Sequence, residues 1–132
     1  MSYHVERGFD MSMPIPAVDD VDLGQVLRAL AEPLRRDVIS QLVADRQNAE
    51  RACGSFDLPV TKSTKTHHWR VLREAGLISQ RDAGNGTFIR LRRGEFEQRF
   101  PGLLDTVCRL SHPPGDGKAA RVRPSRRGRA AG

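Results

Sequence analysis

Between Thr61 and Ile78 the chain reads Thr61-Lys62-Ser63-Thr64-Lys65-Thr66-His67-His68-Trp69-Arg70-Val71-Leu72-Arg73-Glu74-Ala75-Gly76-Leu77-Ile78. A threonine at the front can accept from the unpaired backbone donors of a first helical turn, and a glycine at the back can take the left-handed conformation that ends one. The interior sorts by face at spacings of three and four. Thr64, His68, Val71, Leu72 and Ala75 share one side, and Lys62, Thr66, Arg70 and Arg73 another. A cationic, hydroxyl-bearing face opposite an apolar one is what a helix lying in a nucleic-acid groove needs. Side chains near the start of such a helix reach base edges, which singles out Lys62, Ser63, Lys65 and Thr66. Arg70 and Arg73 are placed to hold phosphates. His67 lies nearer the groove face and can donate to a phosphate or a base. His68, on the inner face with Leu72, reads as a hydrogen-bonded core histidine, and Trp69 reads as core before base stacking.

Charge along the chain sharpens this. The formal net charge of the 132 residues is +6, but residues 1–59 carry 6 basic and 10 acidic side chains, residues 60–93 carry 8 and 2, residues 94–110 carry 2 and 3, and residues 111–132 carry 6 and 1. The positive excess therefore sits in the cationic helix with the segment after it, and in a Pro, Gly, Arg and Ala tail. The tail composition predicts disorder. Arg121, Arg123, Arg126, Arg127 and Arg129 would add nonspecific affinity through counterion release, or only solubility.

Two cysteines, Cys53 and Cys108, are too few for a disulfide scaffold or a zinc finger. They read as buried thiols, or as a thiol switch if the fold brings them within bridging range. No apolar run is long enough to cross a bilayer, and residues 1–7 lack a signal-peptide core, so a cytoplasmic protein without a membrane partner is expected.

The elements that must position the cationic helix follow from periodicity. Residues 1–20, with Pro14 and Pro16 and no lasting period, form a flexible arm that orders against a partner. Leu23, Val26, Leu27 and Leu30 are a helical stripe preceded by Asp19, Asp20 and Asp22, which suit a helix start. Pro33 opens a second helix to about Ala44, with Leu34, Val38, Ile39, Leu42 and Val43 inside and Arg35 and Arg36 outside. A short third helix is expected over Asn48 to Cys53, then an extended piece with alternating Phe56, Leu58 and Val60. After the cationic helix, residues 77–83 and 87–92 flank Gly84-Asn85-Gly86, a hairpin whose Asn-Gly supplies positive backbone dihedrals. Its basic residues, Arg81 and Arg90 first and then Arg92 and Arg93, are candidates for phosphate or minor-groove contact. Phe96, Phe100, Leu103, Leu104, Val107 and Leu110 form the last stripe, interrupted by Pro101. That spacing predicts a turn at 95–99 and a helix from about Pro101 to Leu110.

The predicted fold is thus mainly α with a small β-hairpin, a winged helix-turn-helix of order α-α-α-α-β-β-α. It comprises an arm at 1–20, a DNA-binding and dimerisation domain at 21–110, and a basic tail at 111–132. Three stretches resemble the ArsR (arsenical-resistance repressor) family of winged-helix regulators. Residues 27–39, with Ala29-Leu30-Ala31-Glu32-Pro33-Leu34-Arg35, are similar to the start of that family's second helix, residues 63–78 to its recognition helix, and the hairpin to its wing. The resemblance implies a homodimeric repressor on a pseudo-palindromic double-stranded DNA operator, released by an inducer that the sequence does not identify. It implies pairing through the first and last helices. The apolar residues left over there, Leu23, Val26 and Leu27 with Leu103, Leu104 and Val107, are the candidates, which makes a homodimer the expected state.

The departures are specific. A metal-sensing member needs several soft ligands in its third helix, where this chain has Cys53 alone, and Asp105 and His112 stand nearly alone at the other site, so no metal and no cofactor are expected. Lys65 occupies a position that is usually apolar in that family, and Trp69 one that is usually a smaller aliphatic residue. A second reading is a basic protein that binds chromosomal DNA or RNA without sequence choice, in either case a nucleoid-associated, cytoplasmic protein. Enzyme chemistry is not expected, since no phosphate loop, metal triad or nucleophile with a positioned base occurs. If an inducer pocket exists, Phe96, Phe100 and Trp69 point to the junction of the arm with the first and last helices.

Overall fold

A computed structural model describes residues 12–111; the arm before Ser12 and the basic tail from His112 lie outside the described residues. Helix α1, Leu23–Ala31, starts where the Asp22 carboxylate accepts from the Gln25 amide at 2.9 Å. It stops because Pro33 cannot continue it, and the same proline opens α2, Pro33–Ala44. Glu32 caps α2, its Oε1 accepting from the amides of Leu34 at 2.7 Å and Arg35 at 3.0 Å. Arg35 and Arg36 are not solvated on the outside of α2. Arg35 Nε donates to Ala29 O and Arg36 Nη1 to Leu30 O and Ala31 O, so two guanidinium groups close the unpaired carbonyl end of α1.

The expected third helix does not form. Arg51–Ala52 is instead a short strand, β1, followed by a single 3-10 turn at Cys53–Ser55. A helix of five or six residues cannot repay its nucleation cost. A sheet edge is within reach. Asn48 takes a left-handed φ of 51° and its side-chain Nδ2 donates to Leu91 O, steering the chain onto that edge. Phe56, Leu58 and Val60 follow without strand pairing, although Phe56 and Leu58 are buried.

Helix α3, Lys62–Glu74, has the expected signals, with Thr61 Oγ1 accepting from the Thr64 amide at 3.2 Å. At its end Gly76 has φ 89°, the Gly76 amide donates to Arg73 O and the Leu77 amide to Leu72 O, the paired bonds of a Schellman motif. The chain then enters β2, Ile78–Asp82, and returns as β3, Thr87–Leu91. The sheet is antiparallel in the order β1-β3-β2, so a third strand joins the expected hairpin. In the tip, Gly84 holds the positive φ of 87° and Asn85 does not. The Asp82 carboxylate accepts from the Gly84 amide, and the Ala83 amide donates to Gly86 O, which makes a four-residue loop rather than a tight Asn-Gly turn. Helices α4, Arg93–Arg99, and α5, Leu103–Ser111, flank Pro101.

Apolar residues of every layer meet under the sheet: Val26 and Leu30 from α1, Val38, Ile39 and Leu42 from α2, Leu72 from α3, Ile78, Ile89 and Leu91 from the sheet, Phe96 from α4 and Leu104 from α5. Burying one such side chain contributes about 1.5–3 kcal/mol. Val26 has no exposed surface and Leu104 only 8%, so these two expected dimer residues belong to the protomer core. Part of the expected arm is also built in. The Met13 amide donates to Gln80 O at 2.9 Å, Ser12 bridges Arg81 on the open edge of β2, and Arg92 donates to Pro16 O and Arg99 to Val18 O.

A Cβ on Gly76 would lie 2.6 Å from Val21 Cγ2, on a backbone already in the left-handed region, whereas one on Gly54 would meet nothing within 4 Å. Gly76→Ala should therefore cost about 2 kcal/mol or more in urea unfolding, and Gly54→Ala less than about 1 kcal/mol. Equal midpoints for the two variants would contradict the account of this junction.

Candidate nucleic-acid interface

Helix α3 has two faces and a flank. Its inner face buries His68, Trp69 and Leu72. Trp69 packs on Phe56 with ring centroids 5.4 Å apart, and Arg51 lies 3.8 Å over the other aromatic ring, that of Phe56. His68 is the hydrogen-bonded core histidine that its spacing predicts. Arg35 Nη1, which can only donate, is 3.0 Å from His68 Nδ1, so that nitrogen accepts and the proton of the neutral ring is on Nε2. Burial holds this imidazole below its usual value of 6.5, opposed by Glu32 and reinforced by Arg35 and His67.

The outer face presents Lys62, Ser63, Thr66, His67 and Arg70, all exposed. Arg70 Nη2 donates to His67 Nδ1 at 3.2 Å, and Thr66 Oγ1 donates to Lys62 O at 3.1 Å. No ion pair among the described residues involves Lys62, Lys65 or Arg70. Lys65 is half-buried, on the side of the helix that faces the hairpin.

Arg73 and three of the four hairpin arginines have other tasks than those expected of them. Arg73 is turned inward, its Nη1 donating to Gln80 Oε1 at 2.9 Å and to Met13 Sδ at 3.2 Å, so it joins α3 to β2 and the N-terminal strap. Arg81 makes a two-pronged pair with Glu50, at 2.7 and 2.8 Å, and lies 5.0 Å from the Phe88 ring. The Arg81 hydrogen bond holds the Glu50 carboxyl below the usual carboxylate range. Arg92, only 7% exposed, donates to Gly76 O, Pro16 O and both carboxylate oxygens of Glu95. Arg93 Nη2 donates to Leu42 O, Val43 O and Asp45 O, closing the end of α2. Arg90 alone of the four is exposed.

The reason is shared by Arg73, Arg92 and Arg93. The protein interior offers carbonyls or an amide oxygen that need donors, and a planar guanidinium supplies several at once. A sequence signal for it was available at Arg93, since α2 ends without a glycine or asparagine immediately after Ala44.

Both cysteines are free thiols. Burial pushes the Cys53 thiol up to about 11 and raises that of Cys108, which keeps them protonated and poorly nucleophilic at neutral pH. Among the described residues there is no group of three or more His, Cys, Asp or Glu that could hold a metal ion, and no helix is long and apolar enough to cross a membrane. Of the residues expected at a pocket, Trp69 is buried against Phe56 at the edge of a cleft beside the hairpin, and Phe96 and Phe100 pack on each other. Phe96 is 1% exposed and stacks on Phe100 at 5.5 Å, while a cavity of about 560 Å³ lies instead among α2, β3, α4 and α5, lined by Val43, Leu91, Leu104, Glu97 and Asp105.

A capped cationic helix followed by an antiparallel hairpin, on a bed of two preceding helices, defines a winged helix-turn-helix. Sequence comparison agrees. The chain is 30% identical over 97 residues, 72% of its own length and 95% of the relative's, to an uncharacterized HTH-type transcriptional regulator, YceK, of Bacillus subtilis (strain 168). The chain belongs to the family of HTH-type transcriptional regulators. No protein-family model matches it.

Because His68 is held neutral by the fold, its contribution to stability is present above pH 6.5 and is lost as the pH falls from there through its lower folded value. The urea midpoint of the parent should therefore drop between pH 7.5 and pH 5.5, and His68→Gln should drop less over the same interval. Identical decrements would show that His68 does not titrate with unfolding.

Proposed function

We propose that this chain is a sequence-specific DNA-binding transcriptional regulator of the ArsR type, a homodimeric repressor that leaves a pseudo-palindromic operator when an inducer binds. The observation that carries the reading is the exposed face of α3, where Lys62, Ser63, Thr66, His67 and Arg70 lie together with no ion pair to a carboxylate among the described residues. Laid in a major groove, Ser63, Thr66 and His67 meet base edges, and Lys62 and Arg70, the second oriented by His67, meet phosphates. Arg90 and the loop Gly84-Asn85-Gly86 lie along the flanking backbone. Arg73 and Arg81 leave the contact set and support it, since each is engaged within the protomer. Such a regulator works on the nucleoid, in the cytoplasm.

Support for the dimer comes from unused apolar surface. Leu23 and Leu27, one turn apart on α1, are 44% and 48% exposed, and Leu110 on α5 is 69% exposed, with Leu103 and Val107 partly covered. A second copy bringing α1 and α5 against these residues would remove them from water and set two α3 helices about 34–36 Å apart, one turn of DNA.

Selection of bound duplexes from a random pool should return a two-fold symmetric site. Against that site Thr66→Ala should relax base preference, while Arg70→Ala should weaken binding to selected and unrelated duplexes alike. Enrichment of no sequence would make the protein a nonspecific DNA binder. Leu27→Asp should shift the mass in sedimentation equilibrium to that of the monomer and weaken binding to the two-fold site more than to a half-site; an unchanged mass would remove α1 from the interface.

A further inference from the structure

Lys62, Lys65, Thr66 and Trp69 fall at i, i+3, i+4 and i+7, a single stripe on the flank of α3 that faces the hairpin. Between this stripe and the sheet is a cleft of about 460 Å³, open on one side, with Gln80 and Thr87 opposite the helix and Met13 of the N-terminal strap against it. Among the described residues, its lining carries two lysines and no carboxylate. Neither lysine has an ion pair or a side-chain hydrogen bond within the described residues; Lys62 is exposed and Lys65 half-buried. Its other polar groups are compatible with an anion. Gln80 accepts from Arg73 Nη1 through its carbonyl oxygen, so the group it can offer an anion is its amide nitrogen, a donor. The cavity among α2, α4 and α5 contrasts with it, because Arg93 there is committed to three carbonyls and Glu97 and Asp105 add negative charge.

We infer that the cleft between α3 and the hairpin is a phosphate-binding site in which Lys65, with Lys62, holds a phosphate group brought by the DNA backbone or by a free phosphorylated small molecule. Lys65 is then a positioning residue and does not read bases. With the backbone as source, the inference rests on the DNA-binding reading above. The site places one strand between helix and wing, and its occupancy fixes how deeply α3 enters the groove. With a free phosphate as source, the same cations are taken from DNA, and the ligand competes.

Trp69 is the single tryptophan of the chain and lines the cleft, so its fluorescence reports occupancy. Full-length protein would be titrated with sodium phosphate against sodium chloride at equal ionic strength, and separately with a selected duplex and an unrelated one at several salt concentrations. Trp69 emission should change saturably with duplex, and Lys65→Gln should abolish that change. The variant should bind both duplexes at least about fivefold more weakly at 0.15 M salt, with a log–log salt slope shallower by about 1.8, one phosphate contact being lost in each protomer of the dimer. Lys65→Arg should restore both, and Lys65→Met serves if Lys65→Gln fails to fold. A saturable response to phosphate that Lys65→Gln removes makes free phosphate a ligand too; a response to duplex alone makes the backbone the source. If the parent binds no duplex but its Trp69 still answers phosphate through Lys65, the regulator reading fails and the anion site stands. If the parent binds duplex and the Lys65 variants match it in affinity, slope and emission, or lose only the selected duplex, the phosphate site is overturned and the DNA-binding reading stands.

Discussion

The direction of the chain from α3 into the wing depends on the turn at Gly76. Its left-handed backbone lets α3 end on two paired hydrogen bonds and lets β2 begin two residues later, and a side chain there would strike Val21. On the other side of the same turn, Arg92 takes Gly76 O together with Pro16 O and the Glu95 carboxylate. Four parts of the chain meet at this point: the N-terminal strap, the end of α3, the start of the sheet and the first turn of α4. A buried guanidinium with several partners is stiff, because losing any one of them leaves an unsatisfied charge in the interior. The angle between helix and wing is therefore set by a charged junction as well as by the apolar core.

Arginine does two opposite jobs in this protein. Arg35, Arg36, Arg92 and Arg93 close carbonyl ends that the helices and the strap leave open, and Arg73 and Arg81 tie the sheet to α3 and to the segment before β1. Arg70 and Arg90 remain exposed. Charge density along the sequence overstates the electrostatic footprint for this reason, and the positive surface of α3 and its wing narrows to a few residues.

Several features could be read without coordinates because they are local. Thr61 caps, Gly76 terminates, Pro33 both ends one helix and opens the next, and spacings of three and four put Leu72 and His68 inside. Others could not. Asn48 to Cys53 lost its expected helix to a strand partner 36 or more positions away, since Arg51 and Ala52 pair with Ile89 and Phe88. The positive dihedral of the wing tip moved from Asn85 to Gly84 because an Asp82 carboxylate and a four-residue loop set the local geometry. Val26 and Leu104 looked available for a partner, and neighbours from several elements had already covered them.

The sequence by itself determined α1, α2, α3 and the hairpin, and with them the class, a winged helix-turn-helix with a cationic, hydroxyl-rich helix, because caps, glycines and periodicity act over a few residues. Tertiary structure alone decided which cations face outward. Arg73, Arg81, Arg92 and Arg93 have the same side chain as Arg70 and Arg90, and what separates them is whether a carbonyl, an amide oxygen or a carboxylate from a distant part of the chain lies within reach of the guanidinium. That is a property of packing, which periodicity does not encode.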